Sequence, residues 1–294
     1  MEHRTIDTPW LRIAYEEIGR PNGDPIVLVH GWPDDVRCWD AIAPRLADAG
    51  ARVLTPYLRG CGPTRFHSPN TMRSGAIAAL GQDLADFLGA LDLRGATVVG
   101  YDWGARAGYV GGALFPERIR GLVAMAAGYA TSQPIAEMPY DLVKAYWYEW
   151  LVATEQGRAA IMRDRRRMAR YLWQTWSPGW QFTDEEFERS AASWDNDDWA
   201  PISIHAYQQR WGDVAGAPEH EKLERRLAAA PPIRVPTIVL HGAVDGDNFV
   251  ETSAGKDRYF LDTYERTVLD GIGHFIPREA PDKVIEAVRR FNAL

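Results

Sequence analysis

The chain has 294 residues, 46% of them hydrophobic, and a formal net charge of −7. That length buries a sizeable core and accommodates one elaborated domain or a core carrying an insert, and the acidic balance argues against a nucleic-acid or anionic-membrane partner. Its two cysteines, Cys38 and Cys61, have no C-x-x-C spacing, so neither a disulfide framework nor a zinc site is expected. Residues 1–7 lack an apolar signal core, and no run approaches 18 uninterrupted apolar residues. A soluble, cytoplasmic protein is the expectation.

In chain order, short apolar β-branched runs predict strands over residues 11–15, 26–30, 52–55, 97–101, 121–124, 237–241 and 266–269. Helical periodicity lies between them, as over residues 77–91, where Asp83 and Asp86 are read as the polar side. Residues 281–292 read as a C-terminal helix with Pro281 in its first turn. This alternation predicts an α/β fold with a mostly parallel central sheet flanked by helices. Between about 128 and 231 the strand-like runs vanish and eight of the twelve tryptophans occur, at 147, 150, 173, 176, 180, 194, 199 and 211. We read residues 128–231 as a helical cap inserted into a core formed by residues 1–127 and 232–294. The basic run 163–167 sits in a helical pattern within an acidic protein, so a solvated helix face is expected there.

The segment Gly100-Tyr101-Asp102-Trp103-Gly104 follows a strand pattern and opens a small-residue helix, which is the glycine-x-nucleophile-x-glycine pattern of a nucleophile elbow. A serine is the usual tip; here it is Asp102. A carboxylate attacks a saturated carbon bearing a leaving group and forms an alkyl ester with the enzyme. This points away from lipases and towards opening of an epoxide or displacement of halide. Release of product needs a base, for which His274 stands in a glycine-flanked loop after the last strand. An acid should orient the imidazole. The loop 125–133 offers no carboxylate, whereas the loop after 241 offers Asp245, with Asp247 as fallback. The oxyanion formed on Asp102 needs amide donors, expected from Trp103 and from Trp32 in His30-Gly31-Trp32-Pro33. The Trp32–Pro33 bond is a candidate cis peptide.

Together, His30-Gly31-Trp32-Pro33, the Asp102 elbow and the loop Arg59-Gly60-Cys61-Gly62 resemble the epoxide hydrolases of the α/β-hydrolase fold, with haloalkane and haloacetate dehalogenases as nearest relatives. Cys61 stands where an aromatic residue is more usual. The resemblance covers essentially the whole chain. It implies a cofactor-independent enzyme with no metal, acting on a small apolar epoxide, with nothing to specify an oligomer. It also implies two cap tyrosines as acids over the epoxide oxygen: Tyr148, with Tyr146 second, and Tyr207. Trp32, Trp103, Tyr148 and Tyr207 would then line the substrate site. Haloalkane dehalogenases pair the tryptophan after the nucleophile with an Asn or a cap Trp, and Trp32 stands at the Asn position. Haloacetate dehalogenases resemble Asp-Arg-Gly-x-Arg at the elbow; here Trp103 replaces the first arginine and Arg106 is retained, open to a structural ion pair. Halide hydrolysis by the same triad is the alternative function. A non-catalytic small-ligand-binding protein of the same fold is the second alternative.

Overall fold

The computed structural model describes residues 3–131 and 137–292. Nine strands form a single sheet: β1 (Arg4–Asp7), β2 (Leu11–Gly19), β3 (Pro25–Val29), β4 (Arg52–Pro56), β5 (Arg65–Phe66), β6 (Ala96–Tyr101), β7 (Ile119–Met125), β8 (Thr237–Gly242) and β9 (Tyr264–Leu269). Their order is β1-β2-β4-β3-β6-β7-β8-β9, with β5 beside β2. From β4 to β9 the strands run parallel, and β2 is antiparallel to β1, β4 and β5. Every residue of β6 and β8 is buried, as continuous apolar strands must be when helices cover both sheet faces. The covering helices include α1 (Ala43–Asp48), α2 (Ile77–Ala90) and α3 (Trp103–Leu114).

Between β7 and β8 the chain forms a helical insert: α4 (Tyr140–Ala145), α5 (Trp147–Ala153), α6 (Glu155–Arg163), α7 (Arg165–Trp176), α8 (Asp184–Ala191), α9 (Trp199–Arg210) and α10 (Glu221–Ala228). After β9 come α11 (Ile276–Glu279) and α12 (Pro281–Arg289). Among the described residues, no helix is long and apolar enough to cross a membrane. The tryptophan-rich composition of the insert has a packing cause. Trp173, Trp176 and Trp194 are among the largest fully buried side chains, and they close the insert onto the sheet's carboxyl edge.

The loop after β3 fastens that closure. Trp32 Nε1 donates to Ser203 Oγ on α9 at 2.8 Å, and Trp173 Nε1 donates to the Pro33 carbonyl at 2.7 Å. Asp34 receives Arg278 through two bonds, Nε to Oδ2 at 2.9 Å and Nη2 to Oδ1 at 2.6 Å. Arg278 also reaches Ser190 Oγ at 2.7 Å and Glu186 Oε1 at 3.1 Å on α8.

The expected strands are present, with 26–30 shifted by one residue to Pro25–Val29 and the others extended by one to four residues, while β1 and β5 are additional. β1 is largely exposed at the sheet edge and β5 has two residues, so neither carries an apolar run to read. Asp83 departs from the expected polar helix side. It is buried, and Arg59 grips it through Nε–Oδ2 at 2.6 Å and Nη2–Oδ1 at 2.7 Å. The basic run is only partly a solvated face. Arg165 donates to the Trp194 carbonyl, and Arg166 pairs with Glu188 and Asp195.

Candidate active site

The strand order reverses between β3 and β6, the place where open α/β sheets leave a crevice at their carboxyl ends. Val29 pairs with Gly100, so the turns that follow, 30–33 and 101–104, emerge side by side. Asp102 sits at φ 52° and ψ −118°, a left-handed conformation that costs of order 1–3 kcal/mol. Its neighbours must be small. A Cβ on Gly104 would lie 2.1 Å from the Val29 carbonyl oxygen, one on Gly100 2.4 Å from the Gly104 carbonyl oxygen, and one on Gly31 2.7 Å from Asp102 Cβ. The Trp32–Pro33 peptide bond is cis.

This crowding aims the Asp102 carboxylate. Its Oδ1 accepts the Trp32 N–H at 2.7 Å, and its Oδ2 lies 3.9 Å from His274 Nε2. Burial raises the Asp102 pKa, against the lowering effect of His274, Arg106 and the Trp32 and Trp103 amides. His274 Nδ1 lies 3.0 Å from Asp245 Oδ2 and 3.1 Å from Asp245 Oδ1. Asp245 is itself fixed by the Asp247 and Asn248 amides, which donate to its Oδ1 at 2.9 and 3.0 Å. Burial favours neutral imidazole, yet Asp245, Asp102 and Asp247 outweigh it and hold the His274 pKa at about 9. Its Nε2 is buried without a hydrogen-bond partner among the described residues. The structure thus brings Asp102, His274 and Asp245 into one connected line, base between two acids. The His274 loop is fully buried at the imidazole, under Trp176, rather than an exposed turn.

Both singled-out tyrosines reach this place. Tyr148 stacks on Trp32 and meets Tyr207 edge-on, with centroids 5.6 and 5.2 Å apart. Tyr207 also packs against Trp32 and Trp103. The Tyr148 hydroxyl lies 3.0 Å from Asp247 Oδ1 and 3.1 Å from Glu149 Oε1, whereas the Tyr207 hydroxyl makes no hydrogen bond among the described residues. Burial pushes both phenols well above their ordinary pKa. Tyr146 instead donates to Asn248 Oδ1 at 3.1 Å, at the break between α4 and α5.

Asp247 is not the partner of His274 Nδ1. It forms a separate acid of the site, its oxygen within 4.8 Å of the ligating atoms of both Asp102 and His274. That spacing also suits a cation, which His274 would join only after giving up its proton. Burial, reinforced by Asp245, Asp102 and Glu149, raises Asp247 to about 8, with His274 opposing. Glu149 went unnoticed in the sequence. It is a fully buried carboxylate that takes Arg210 Nη1 at 3.0 Å and Trp211 Nε1 at 2.7 Å. Its signal was present: a single acid inside the aromatic run Tyr146–Leu151. Arg106 is buried and makes no ion pair among the described residues, only hydrogen bonds to Thr131 Oγ1 at 3.3 Å and Asn248 Oδ1 at 3.4 Å. A cavity of about 720 Å³ opens beside this centre, with Trp103, Tyr207, Arg106 and Met138 in its wall.

The comparisons with known proteins agree with this geometry. Residues 24–277 match the alpha/beta hydrolase fold family. Epoxide hydrolase A of Mycobacterium tuberculosis is 26% identical over 319 aligned residues, covering 98% of this chain and 96% of the relative. The crystal structure of a provisionally named epoxide hydrolase from Klebsiella pneumoniae is 36% identical and superposes with a TM-score of 0.94, covering 100% of this chain and 98% of that one. Potato epoxide hydrolase I, 20% identical with a TM-score of 0.78 over 99% of this chain and 98% of its own, bears on the fold alone. The chain belongs to the α/β-hydrolase fold family, in the branch of the epoxide hydrolases.

Proposed function

We propose that this enzyme hydrolyses a small apolar epoxide to a vicinal diol through an ester on Asp102, beneath a cap formed by residues 128–231. Asp102 Oδ2 attacks an epoxide carbon along the line of the breaking C–O bond. Tyr207 and Tyr148 hydrogen-bond the departing oxygen, which leaves as a basic alkoxide and needs a proton. The ester keeps Oδ1 at the Trp32 amide. His274 Nε2 then takes a proton from water as that water attacks the Asp102 carboxyl carbon. The developing oxyanion is held by the Trp32 and Trp103 amides, and Asp245 stabilises the imidazolium. The observation that carries this reading is the orientation of Asp102, with one oxygen in an amide donor and the other facing a partnerless imidazole nitrogen.

Halide displacement by the same three residues is supported less well. Halide leaves unprotonated and needs N–H donors, and the Trp32 indole is already committed to Ser203. Paired product assays test the choice: diol from aryl and aliphatic epoxides, and halide from haloalkanes and haloacetates. We expect diol without halide, and about a 10- to 100-fold loss of turnover in Tyr207→Phe. Halide release without diol overturns the epoxide reading, and full turnover by Asp102→Ala overturns the mechanism.

A further inference from the structure

The hydroxyl of Tyr148 lies between two carboxyl groups and carries one proton, so it can donate to only one of them. Burial raises the Glu149 pKa, but Arg210 and Trp211 both donate to its carboxylate and oppose that rise. Asp247 has no such support. Among the described residues its Oδ2 accepts only the Asn248 side-chain Nδ2, at 2.8 Å, and no arginine or lysine lies within 4 Å. It is buried, and it faces the Asp102 and Asp245 carboxylates from the sheet edge and Glu149 from α5. The remaining groups around it are His274, the Tyr146 and Tyr148 phenols, and Tyr207 and Arg210 on α9. With Asp247 neutral, the carboxylates Asp102, Asp245 and Glu149 are matched by His274, Arg210 and Arg106, the last of these acting on Asp102 and Glu149 rather than on Asp247. With Asp247 ionised, a buried net negative charge remains, which is strongly disfavoured. The arrangement that leaves the charge on the carboxylate with cationic support places a proton on Asp247, donated to Tyr148, while Tyr148 donates to Glu149.

We propose that Asp247 is a proton reservoir for the ring-opening step, resupplying the Tyr148 hydroxyl as that hydroxyl protonates the freed oxygen. The proposal rests on the epoxide hydrolase reading above. As the Asp102–carbon bond forms and the epoxide C–O bond breaks, the electron pair on oxygen takes the Tyr148 proton. Tyr148 takes the Asp247 proton in turn, so no phenolate is left buried and Asp247 becomes the carboxylate. The second half-reaction begins when the His274 imidazolium, no longer facing the Asp102 charge, gives a proton to the Asp247 carboxylate within 4.8 Å, which reloads Asp247 and leaves His274 as the free base. One proton of the attacking water then passes through His274 to the alcohol oxygen leaving the ester. The other, on the regenerated Asp102 carboxyl, returns to His274. Water and epoxide then give diol with no net proton change. Burial and the neighbouring acids hold Asp247 at about 8, which keeps it loaded at neutral pH.

The test compares wild type with Asp247→Asn, using styrene oxide as the probe. Stopped-flow tryptophan fluorescence reads ester formation, product analysis reads diol, and difference infrared spectroscopy reads the carbonyl stretch of a protonated carboxyl. In the wild type, ester formation should decline on the alkaline side through about pH 8, and a carboxylic acid band should titrate in step with it. In the variant, ester formation should fall about 100-fold, and both the alkaline limb and the band should be lost. Ester formation within about threefold of wild type, with the limb unchanged, overturns the proposal alone. A wild type that makes neither ester nor diol overturns the epoxide reading and this proposal with it. Should the variant fail to fold, the wild-type infrared titration decides: a band vanishing near pH 8 supports the reservoir, and its absence at pH 7 overturns it.

Discussion

The base of the second half-reaction is made by the first. Before reaction, Asp102 and Asp245 flank His274 and hold it protonated, with a pKa of about 9. Formation of the ester deletes the Asp102 charge. Nε2 and Oδ2 are 3.9 Å apart, and at an effective dielectric of about 20 that charge pair is worth about 4 kcal/mol. Its loss makes the imidazolium more acidic by about three powers of ten, at 1.36 kcal/mol for each. His274 therefore becomes a free base near neutral pH only once an ester is present to hydrolyse, its proton passing to Asp247 and cancelling the charge that ring opening leaves there. The sign follows: the ester-hydrolysis rate should rise with pH through the lowered pKa and then level off. The resting imidazole should titrate near 9 by nuclear magnetic resonance. Single-turnover hydrolysis measured across pH should give a midpoint at least about two pH units below the resting one. Coincident midpoints would refute the electrostatic argument, since they would mean that the Asp102 charge does not reach His274.

Two further outcomes follow from packing. Arg278→Leu removes the partner of Asp34, whose side chain has 0% exposure, so roughly 3–5 kcal/mol of stability should be lost, read by urea denaturation; an unchanged midpoint would mean that the pair is not holding the loop. Gly104→Ala drives a Cβ into the Val29 carbonyl oxygen, and displacing the elbow should lower turnover by about 100-fold. Gly179→Ala, whose added Cβ meets nothing nearer than 3.6 Å, is the control; equal activity in the two variants would show that the elbow tolerates displacement.

What the sequence made legible is what the backbone demands locally. Gly100, Gly104 and Gly31 are required by contacts of 2.1 to 2.7 Å within two adjacent turns, so they leave a readable pattern around Asp102. The strands β6 and β8 are readable because each carries a β-branched, largely apolar run and is buried throughout. Asp83 was misread because helical phase alone does not tell a polar face from a buried acid awaiting an arginine 24 residues earlier. Glu149, and the role of Asp247 beside it, escaped for the same reason. Their meeting at Tyr148 joins α5 to the loop after β8, about a hundred residues apart, and no local rule announces it. Asp245 and Asp247 were separable only by which one turns toward the imidazole, a matter of loop geometry.

The loop from His30 to Asp35 supplies an amide to Asp102, and the same six residues receive side chains from α7, α9, α11 and the segment after α8. Insert and sheet are therefore not independently variable modules. A substitution in the insert that reshapes the pocket also pulls on the Trp32 amide, so changes in substrate preference and changes in rate should arrive together. Such a protein has few neutral paths to a new substrate: the insert can drift freely only at positions that do not bear on those six residues.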